Sequence, residues 1–444
     1  MPQDTNELAP SSIGQIGFYV HQMRNEDDYS LNNRFFAWIR GDLDADALQQ
    51  ALDAVVERHP VLRTMLVPAA GPRPLRQEVL PAAPVVFERH DACAGTVAET
   101  EAEMRRIVQA FAHTPFDVGE EEFPFRALLV RVDDDRCLFG MMAHHIASDM
   151  LSGQILFRDV VAFYRSVTQG TDGPEPPAAQ FADFATRQWD RLESGAMDRH
   201  ADFWRETLAG RPPMVVPGAR ATAAASPVPQ AGERLSRTLP DALATAVRGL
   251  AWRHRATITT VFLAALGVLC REKGVTQTTL CIPTANRPGP KFQDVVGCFM
   301  NPVLVVLEAQ PGEPFAAVLD RMRDRASQAY AHREYPVDRL KALLDDDFRD
   351  IGYPPGLLFQ LLQRPDELVL EAGGCVFERI LTDMHRIAGL YFPQARLQVL
   401  VWEERDRITC SFDYDAAAFE RETVQAMLDR YVAILHENAG AAPA

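Results

Sequence analysis

Residues 144–150 read His-His-Ile-Ala-Ser-Asp-Met and follow directly on an apolar run, Cys-Leu-Phe-Gly-Met-Met-Ala, at 137–143. The apolar run is typical of a buried β-strand. Successive side chains of a strand point to opposite faces, so His144 and His145 cannot both face the same cavity. One imidazole should face a cavity, and the other should turn into the protein and find a hydrogen-bond partner there. This arrangement suits one histidine placed for proton chemistry and held by a rigid frame.

Two other interpretations of this stretch compete with catalysis. A histidine at the end of a strand is commonly structural. Imidazole and carboxylate are also common metal ligands, and an aspartate follows four positions after the second histidine. Adjacent histidines on a strand diverge, however, and no further His/Cys cluster lies close in sequence to complete a metal site. The residues alone therefore leave a choice between a structural and a catalytic histidine.

The segments around the histidines predict alternating strands and helices. Apolar residues recur at helical spacing over 45–57, behind a predicted cap at Asp44. Strand-like stretches at 126–132 and 137–143 are separated by a polar turn, which predicts a hairpin. An amphipathic helix is predicted over 153–169, after the histidine stretch.

Five further stretches match, in order, the motifs of one enzyme superfamily. They read Ser-Ile-Gly-Gln-Ile-Gly-Phe-Tyr at 12–19, Arg-His-Pro-Val-Leu-Arg-Thr at 58–64, Phe-Ala-Asp-Phe-Ala at 181–185, Val-Gly-Cys-Phe-Met-Asn at 296–301 and His-Arg-Glu-Tyr-Pro-Val-Asp at 332–338. With the histidine stretch they resemble the motifs of the condensation-domain superfamily of nonribosomal peptide synthesis, whose signature is HHxxxDG. Six motifs in order, from about residue 11 to residue 338, make the resemblance specific.

The resemblance implies an α/β fold. It consists of two chloramphenicol-acetyltransferase-like lobes arranged in a V, with the histidines in a tunnel between them. A Gly- and Pro-rich stretch at 171–177 is typical of a hinge. We therefore predict an N-terminal lobe over 1–172, which carries the histidine motif, and a C-terminal lobe over 173–444.

The resemblance also implies roles for individual residues. His145 matches the catalytic histidine of the family, and His144 matches its inward-facing neighbour. Asp149 matches a carboxylate that orients the loop through an arginine and does not touch substrate. Arg287 lies where the partner arginine is expected. Losing one member of a buried ion pair is strongly destabilising, so Asp149 is predicted to serve both the site and stability.

Three further residues are assigned on the same motifs. Arg63 is predicted to support the site structurally, and Asn301 to line the tunnel. Met150 stands where the family has glycine, which would permit a positive φ or a close backbone approach to substrate. The bulk of methionine predicts a narrower acceptor side. The family's late Arg-Asp-x-Ser-Arg element is poorly kept, and the nearest stretch is 353–360.

Length, composition and charge indicate a large cytoplasmic enzyme. The 444 residues suffice for two or three domains with their own cores. No apolar stretch approaches the roughly 20 residues that span a bilayer, and the N-terminus does not resemble a secretory signal. Seven cysteines without a Cys-x-x-Cys pair indicate buried thiols in a reducing compartment. A net charge of −16 argues against nucleic acid or an anionic membrane as the main partner.

The expected reaction is transfer of an acyl group from a carrier-protein thioester to an amine or a hydroxyl group. A neutral imidazole would take the proton of the attacking amine or hydroxyl group. The sequence has no Gly-x-Ser-x-Gly elbow, so a covalent acyl-serine is not expected. No metal or intrinsic cofactor is expected, because the phosphopantetheine arm of the carrier arrives with the donor. No adenylation segment or carrier motif is recognisable, so we expect a free-standing, monomeric enzyme. Its carrier should dock in trans on a basic and apolar patch including Arg58 or Arg63.

Two rival functions stay open. Polyketide-associated and CoA-dependent O-acyltransferases make esters with the same histidine motif, although the Asp-Phe-Gly-Trp-Gly motif of plant-type enzymes is absent here. A non-catalytic recruitment module is the second rival, against which the intact His145 and Asp149 argue. Heterocyclising relatives replace the histidines with aspartates and do not fit.

Overall fold

The computed structural model of the chain describes residues 8–93, 95–119, 122–211, 214–220, 232–340, 343, 356–363, 369–380, 395–404 and 407–440. Residues 353–355 of the poorly kept late motif lie outside these ranges. The contacts divide the chain into two units. Unit 1 comprises Met1–Ala196, Ala285–Met300 and Pro365–Leu390, and unit 2 comprises Met197–Thr284, Asn301–Arg364 and Tyr391–Ala444.

Unit 1 contains five helices and eight strands among its described residues. The helices are α1 (Ile13–Arg24), α2 (Ala45–Arg58), α3 (Val97–His113), α4 (Met150–Gln169) and α5 (Phe181–Glu193). The strands are β1 (Asn32–Arg40), β2 (Thr64–Pro68), β3 (Leu75–Val79), β4 (Phe87–Asp91), β5 (Phe125–Arg131), β6 (Arg136–His144), β11 (Val369–Ala372) and β12 (Cys375–Ile380). Six of these strands form one sheet in the order β11-β12-β1-β6-β5-β4, and β2 and β3 form a separate ribbon.

Unit 2 has its own six-stranded sheet in the order β7-β14-β13-β10-β8-β9. Its strands are β7 (Gly232–Thr238), β8 (Gln277–Ile282), β9 (Val303–Glu308), β10 (Leu357–Gln363), β13 (Leu397–Glu403) and β14 (Ile408–Asp415). Its helices are α6 (Asp198–Leu208), α7 (Asp241–Arg253), α8 (Ile258–Glu272), α9 (Phe315–Ala331), α10 (Val337–Leu340) and α11 (Arg421–Ala439). The apolar helix α8 is buried on nearly all sides because it packs against α7, α9 and α11.

The local elements around the histidines match the predictions from periodicity. Asp44 caps α2 by accepting hydrogen bonds from the amides of Asp46 and Ala47. The predicted hairpin is β5–β6, in which Leu129 pairs with Phe139. Helix α4 starts at Met150, three residues before the predicted start, and packs against α2.

The two units do not coincide with the predicted lobes 1–172 and 173–444. Unit 1 continues to Ala196 because α5 is held there: the indole Nε1 of Trp189 donates to the carbonyl of Ser11 at 2.7 Å. Unit 1 also takes up β11 and β12, since β12 pairs antiparallel with β1. Pairing between strands more than 300 positions apart leaves no local sequence signal.

All seven cysteines lie in the described part of the chain as free thiols. Five are buried as predicted, whereas Cys137 is half-buried and Cys93 is exposed. None of the described helices combines the length and apolar character needed to cross a bilayer.

Candidate active site

The histidine pair lies at the end of β6, in the centre of the unit 1 sheet. His144 is the last residue of the strand and pairs with Asn32 on β1. The amide of His145 donates to the carbonyl of Leu31 at 2.8 Å, so the backbone is held one residue beyond the strand. A turn then leads to α4, whose first residue is Met150. The two imidazoles therefore leave a rigid strand end in different directions, as the alternation of side chains predicts.

His144 is fully buried and both of its ring nitrogens are engaged. Its Nδ1 accepts a hydrogen bond from the amide of Ile146 at 3.1 Å, which places the ring proton on Nε2. Nε2 lies 3.1 Å from Oε1 of Gln22. Burial, followed by the neighbouring His145, lowers the pKa of His144 to about 3. His144 is thus a neutral structural residue, the inward-facing partner that the sequence predicted.

The side chain of Gln22 is oriented to accept the hydrogen bond from Nε2–H of His144. Its amide nitrogen donates to three backbone carbonyls, those of Asn25, Glu26 and Asp28, at 3.0–3.1 Å. The amide oxygen must then point towards His144. The end of α1 therefore fixes the tautomer of His144 and the direction of its ring.

His145 has a different environment. Its ring stacks on Phe18, with the two centroids 4.3 Å apart and the planes inclined by 18°. Nδ1 lies 3.6 Å from Sγ of Cys298, while Nε2 makes no hydrogen bond to any residue that the structure describes. Burial lowers the pKa of His145, against opposing contributions from the His145 carbonyl, the Asp149 carboxylate and the Ser148 carbonyl. Burial therefore favours the neutral form of this ring.

Asp149 is the N-cap of α4 and is buried. Its Oδ1 accepts hydrogen bonds from the amide and the hydroxyl of Ser152, both at 2.8 Å. Its Oδ2 accepts from the amide of Phe299 at 3.3 Å. The carboxylate thus joins the start of α4 to the Val-Gly-Cys-Phe-Met-Asn stretch, and its oxygens are occupied by protein groups.

Arg287 forms the ion pair that the resemblance predicts. Its Nη2 donates to Oδ1 of Asp149 at 2.8 Å, and the two side chains are only 2% and 6% exposed. Nη1 donates to the carbonyl of Val295 at 2.8 Å, and the guanidinium lies over the ring of Phe299 at 4.1 Å. Burial lowers the pKa of Arg287, and the Asp149 charge opposes that shift. This buried ion pair, called the brace below, holds the turn between β6 and α4, which is called the histidine loop.

Met150 lies in the first turn of α4, and 45% of its surface is exposed. It is not among the described residues with a positive φ, so the backbone here does not require glycine. The effect of this methionine on acceptor choice stays a prediction.

The side chain of Asn301 forms hydrogen bonds with the backbone of residues 333–337 in unit 2. Its Nδ2 donates to the carbonyls of Arg333 and Tyr335 at 2.6 and 2.7 Å, and its Oδ1 accepts from the amide of Val337 at 3.0 Å. The polar atoms of Asn301 therefore hold the His-x-x-Tyr-Pro segment in place. The predicted role in lining a tunnel stays a prediction, and these bonds do not support it.

Arg63 and Arg58, the residues suggested for a docking patch, both make hydrogen bonds within unit 1. Arg63 donates to the carbonyl of Leu80, and no bond in the described ranges joins it to the histidine loop. The Arg58 side chain is 8% exposed, and its Nε donates to Asp159 at 2.9 Å. Asp159 also pairs with His59 at 2.8 Å. Arg58 is therefore largely buried and paired, which does not favour an exposed basic patch at that residue, whereas Arg63 is half-buried and its docking role stays a prediction.

A cavity of about 450 Å³ lies beside Arg58, within unit 1. Its charged lining has both signs and consists of Arg58, Arg158, Asp159, Glu175, Lys291 and Asp294. Arg158 is already paired with Asp159 and Asp294, at 3.1 and 2.8 Å. The lining therefore selects no charge class of ligand.

Several residues of the frame were not assigned from sequence. Gln15 caps α1 with Ser12 and donates from Nε2 to the carbonyl of Ile146 at 3.0 Å, which holds the histidine loop. Ser152 bridges Asp149 to Gly297, whose amide donates to the Ser152 hydroxyl at 3.1 Å. Gln15 and Phe18 were visible as motif residues, whereas Gln22 and Cys298 carry no signal beyond their three-dimensional neighbours.

Comparison with known proteins identifies the family. The family model described as the condensation domain matches residues 5–353. The chain belongs to the condensation-domain family. It is 30% identical over 407 residues to the phosphinothricin tripeptide synthetase PhsC of Streptomyces viridochromogenes, covering 90% of this chain and 36% of that protein. It is 29% identical over 455 residues to the probable non-canonical nonribosomal peptide synthetase CymA of Salinispora arenicola, covering 99% of this chain and 6% of that one. The chain thus spans about a third or less of the length of these relatives.

Solved structures support the same fold. An X-domain from teicoplanin biosynthesis, in complex with OxyB, has a TM-score of 0.85 at 22% identity and covers 99% of this chain and 94% of that one. The SgcC5 protein of Streptomyces globisporus has a TM-score of 0.77 at 23% identity, covering 97% and 98%. The starter condensation domain of rhizomide synthetase, solved with C8-CoA, has a TM-score of 0.77 at 18% identity, covering 97% and 95%. The predicted α/β condensation-domain fold is confirmed.

The described residues contain no group of three or more His, Cys, Asp or Glu side chains that could hold a metal ion. The carboxylate that follows the histidine pair is used by Arg287 and by the start of α4. The Asp149 carboxylate is therefore already engaged by protein groups.

Proposed function

We propose that this condensation-domain protein transfers an acyl group from a carrier-protein thioester to an amine or hydroxyl acceptor, with His145 as the proton acceptor. The single observation that carries this proposal is the contrast between the two histidines. Both nitrogens of His144 are engaged, whereas Nε2 of His145 makes no hydrogen bond within the described residues. A buried neutral imidazole with one free nitrogen is what a general base requires.

In the proposed step, the nitrogen or oxygen atom of the acceptor attacks the thioester carbonyl carbon and forms the new C–N or C–O bond, and Nε2 of His145 takes the proton that the attack releases. The carbon–sulfur bond then breaks, and the proton passes to the departing thiolate. A positioned general base contributes about 10²–10⁴-fold to such a reaction. Asp149 and Arg287 do not touch substrate in this scheme; they keep the loop that carries His145 in place.

Reconstitution with an acyl-loaded carrier protein and a panel of amines and alcohols tests the proposal by product mass. His145→Ala should lower turnover by roughly 10²–10⁴-fold. The matched control is His90→Ala in β4, because His90 is 39% exposed and pairs with Glu88 on the same strand. Thermal unfolding of each variant shows whether it is folded. Wild-type turnover in a folded His145→Ala variant would exclude the catalytic role.

The pH dependence gives a second test of the same base. Turnover should require the neutral imidazole and fall as the pH drops through the pKa of His145. Because burial lowers that pKa, the fall should come at a lower pH than for an exposed histidine. A turnover profile centred on the ordinary histidine value of about 6.5 would contradict the buried, neutral base.

The same assay separates the rival functions. The rhizomide neighbour was solved with C8-CoA, so acyl-CoA is compared with the carrier-bound donor. Equal efficiency with CoA would favour a CoA-dependent O-acyltransferase. The teicoplanin X-domain forms a complex with OxyB, so a partner-binding role is the alternative if no acyl donor reacts. The SgcC5 structure holds an aryl ethanediol, which makes hydroxyl acceptors a necessary part of the panel.

A further inference from the structure

We propose that Cys298 is a positioning residue that fixes the orientation and tautomer of His145. The thiol lies 3.6 Å from Nδ1 of His145 and is 2% exposed, so it is a buried neighbour of the ring. This inference rests on the proposed function of His145, and it goes beyond the motif. The matching motif reads Val-Gly-x-Phe-x-Asn, and Cys298 occupies its first unspecified position.

The backbone on both sides of Cys298 is fixed. Before it, the amide of Gly297 donates to the hydroxyl of Ser152 at 3.1 Å. After it, the amide of Phe299 donates to the carboxylate of Asp149 at 3.3 Å. A side chain at Gly297 would also collide with Phe181, since an added Cβ would lie 2.1 Å from that ring. The backbone that carries the sulfur is therefore held by the same residues, Ser152 and Asp149, that hold the histidine loop.

The direction of the Cys298 contact decides whether His145 can act as a base. If Nδ1 carries the proton and points to the sulfur, Nε2 keeps a free lone pair. If the thiol donated its proton to Nδ1 instead, Nε2 would carry the ring hydrogen and could not accept another. We therefore assign Sγ as an acceptor for Nδ1–H.

Phe18 completes the restraint. It stacks on the face of the His145 ring, while Cys298 contacts the ring edge at Nδ1. A stacked ring limits tilting, but it leaves rotation within the ring plane and the choice of tautomer open. The edge contact with sulfur restrains both of these, which is the contribution that we assign to Cys298.

Three substitutions separate positioning from packing. Cys298→Val fills the space without an acceptor, Cys298→Ala leaves space and no acceptor, and Cys298→Ser restores an acceptor. We expect kcat to fall roughly 2–10-fold in the valine and alanine variants, as for the loss of one weak hydrogen bond, and to recover in the serine variant. KM for donor and acceptor should not change. A packing role predicts the opposite order, with valine close to wild type and alanine and serine impaired.

The tautomer of His145 can be measured without any assay of activity, so the role of Cys298 is tested separately from the proposed function. The ¹⁵N chemical shifts of the imidazole, assigned by comparison with His145→Ala, report which ring nitrogen carries the proton. We expect Nδ1–H in the wild type and a mixture of tautomers in Cys298→Val. An Nε2–H wild type, or a valine variant with unchanged tautomer and kcat, would overturn the role of Cys298. A fully active His145→Ala would instead overturn the proposed function, whatever the tautomer.

Discussion

Replacing Asp149 with alanine should unfold the protein at a lower temperature and slow its reaction. The carboxylate accepts hydrogen bonds from the amide and hydroxyl of Ser152, from Arg287 and from the amide of Phe299. Alanine would leave the Arg287 charge buried without its partner. Breaking one side of a buried ion pair costs about 3–5 kcal/mol, and the loss of a helix N-cap alone costs about 1 kcal/mol. These terms share one carboxylate, so we expect a total near 3–5 kcal/mol rather than their sum.

The expected change is large enough to measure by thermal unfolding. For a domain of 150–250 residues, 1 kcal/mol shifts Tm by roughly 2–4 °C, so the shift should be roughly 6–20 °C. Turnover should fall as well, because Phe299 loses its bond to Asp149 and its neighbour Cys298 contacts His145. Asp149→Asn should be intermediate, since the amide can still cap α4 but carries no charge.

The control variant is Asp294→Ala. Asp294 also pairs with an arginine in unit 1, but Asp294 and Arg158 are 59% and 42% exposed. An exposed pair contributes about 0–1 kcal/mol, so this variant should unfold close to the wild-type temperature. Arg287→Leu combined with Asp149→Ala should be less destabilised than the two single changes together. Strictly additive costs, or an Asp149→Ala variant that unfolds with the wild type, would refute the brace.

Three further outcomes are expected. Burial lowers the pKa of His144 to about 3, from about 6.5 in the unfolded chain. The neutral ring therefore contributes its full stability above pH 6.5, and the free energy of unfolding should fall by about 1.4 kcal/mol per pH unit between pH 6.5 and 3. In His144→Gln, the free energy of unfolding measured with urea should depend less steeply on pH over this range, and an identical slope would contradict the prediction. Met150→Gly should broaden the range of acceptors more than that of donors, and an unchanged acceptor panel would show that the side chain points elsewhere. Turnover with a carrier-bound donor should fall little up to about 0.15 M salt, because salt screens the long-range repulsion between an acidic carrier and a chain of charge −16; a steep loss would indicate attractive charge pairing instead.

The sequence predicts those parts of the fold that depend on near neighbours. Helix α2, its cap at Asp44 and the hairpin β5–β6 all follow from spacing over fewer than 20 residues. The sequence predicts the start of α4 three residues too late, because Asp149 is both the N-cap of the helix and a predicted site residue. The Asp149 carboxylate both caps α4 and pairs with Arg287, and spacing in the sequence does not reveal that one residue does both.

Long-range contacts were not predictable in the same way. The addition of β12 to the sheet beside β1 depends on the pairing of Phe36 with Ile380, which no periodicity encodes. The pair of Asp149 and Arg287, 138 positions apart, was predicted only through resemblance to a family. Gln22 and Cys298 were missed because a single buried polar residue has the same sequence signal as any other core position.

The two histidines show why the neighbours of a motif matter as much as the motif. His144 and His145 are adjacent and both buried, yet their hydrogen bonds differ completely. The difference arises from residues outside the motif. Gln22 on α1 accepts a hydrogen bond from Nε2–H of His144, and Cys298 contacts Nδ1 of His145. A chain with the same seven-residue motif but without these neighbours would keep the imidazole and lose control of its tautomer. On the proposed function, the motif supplies the base, and the frame around it determines whether that base can accept a proton.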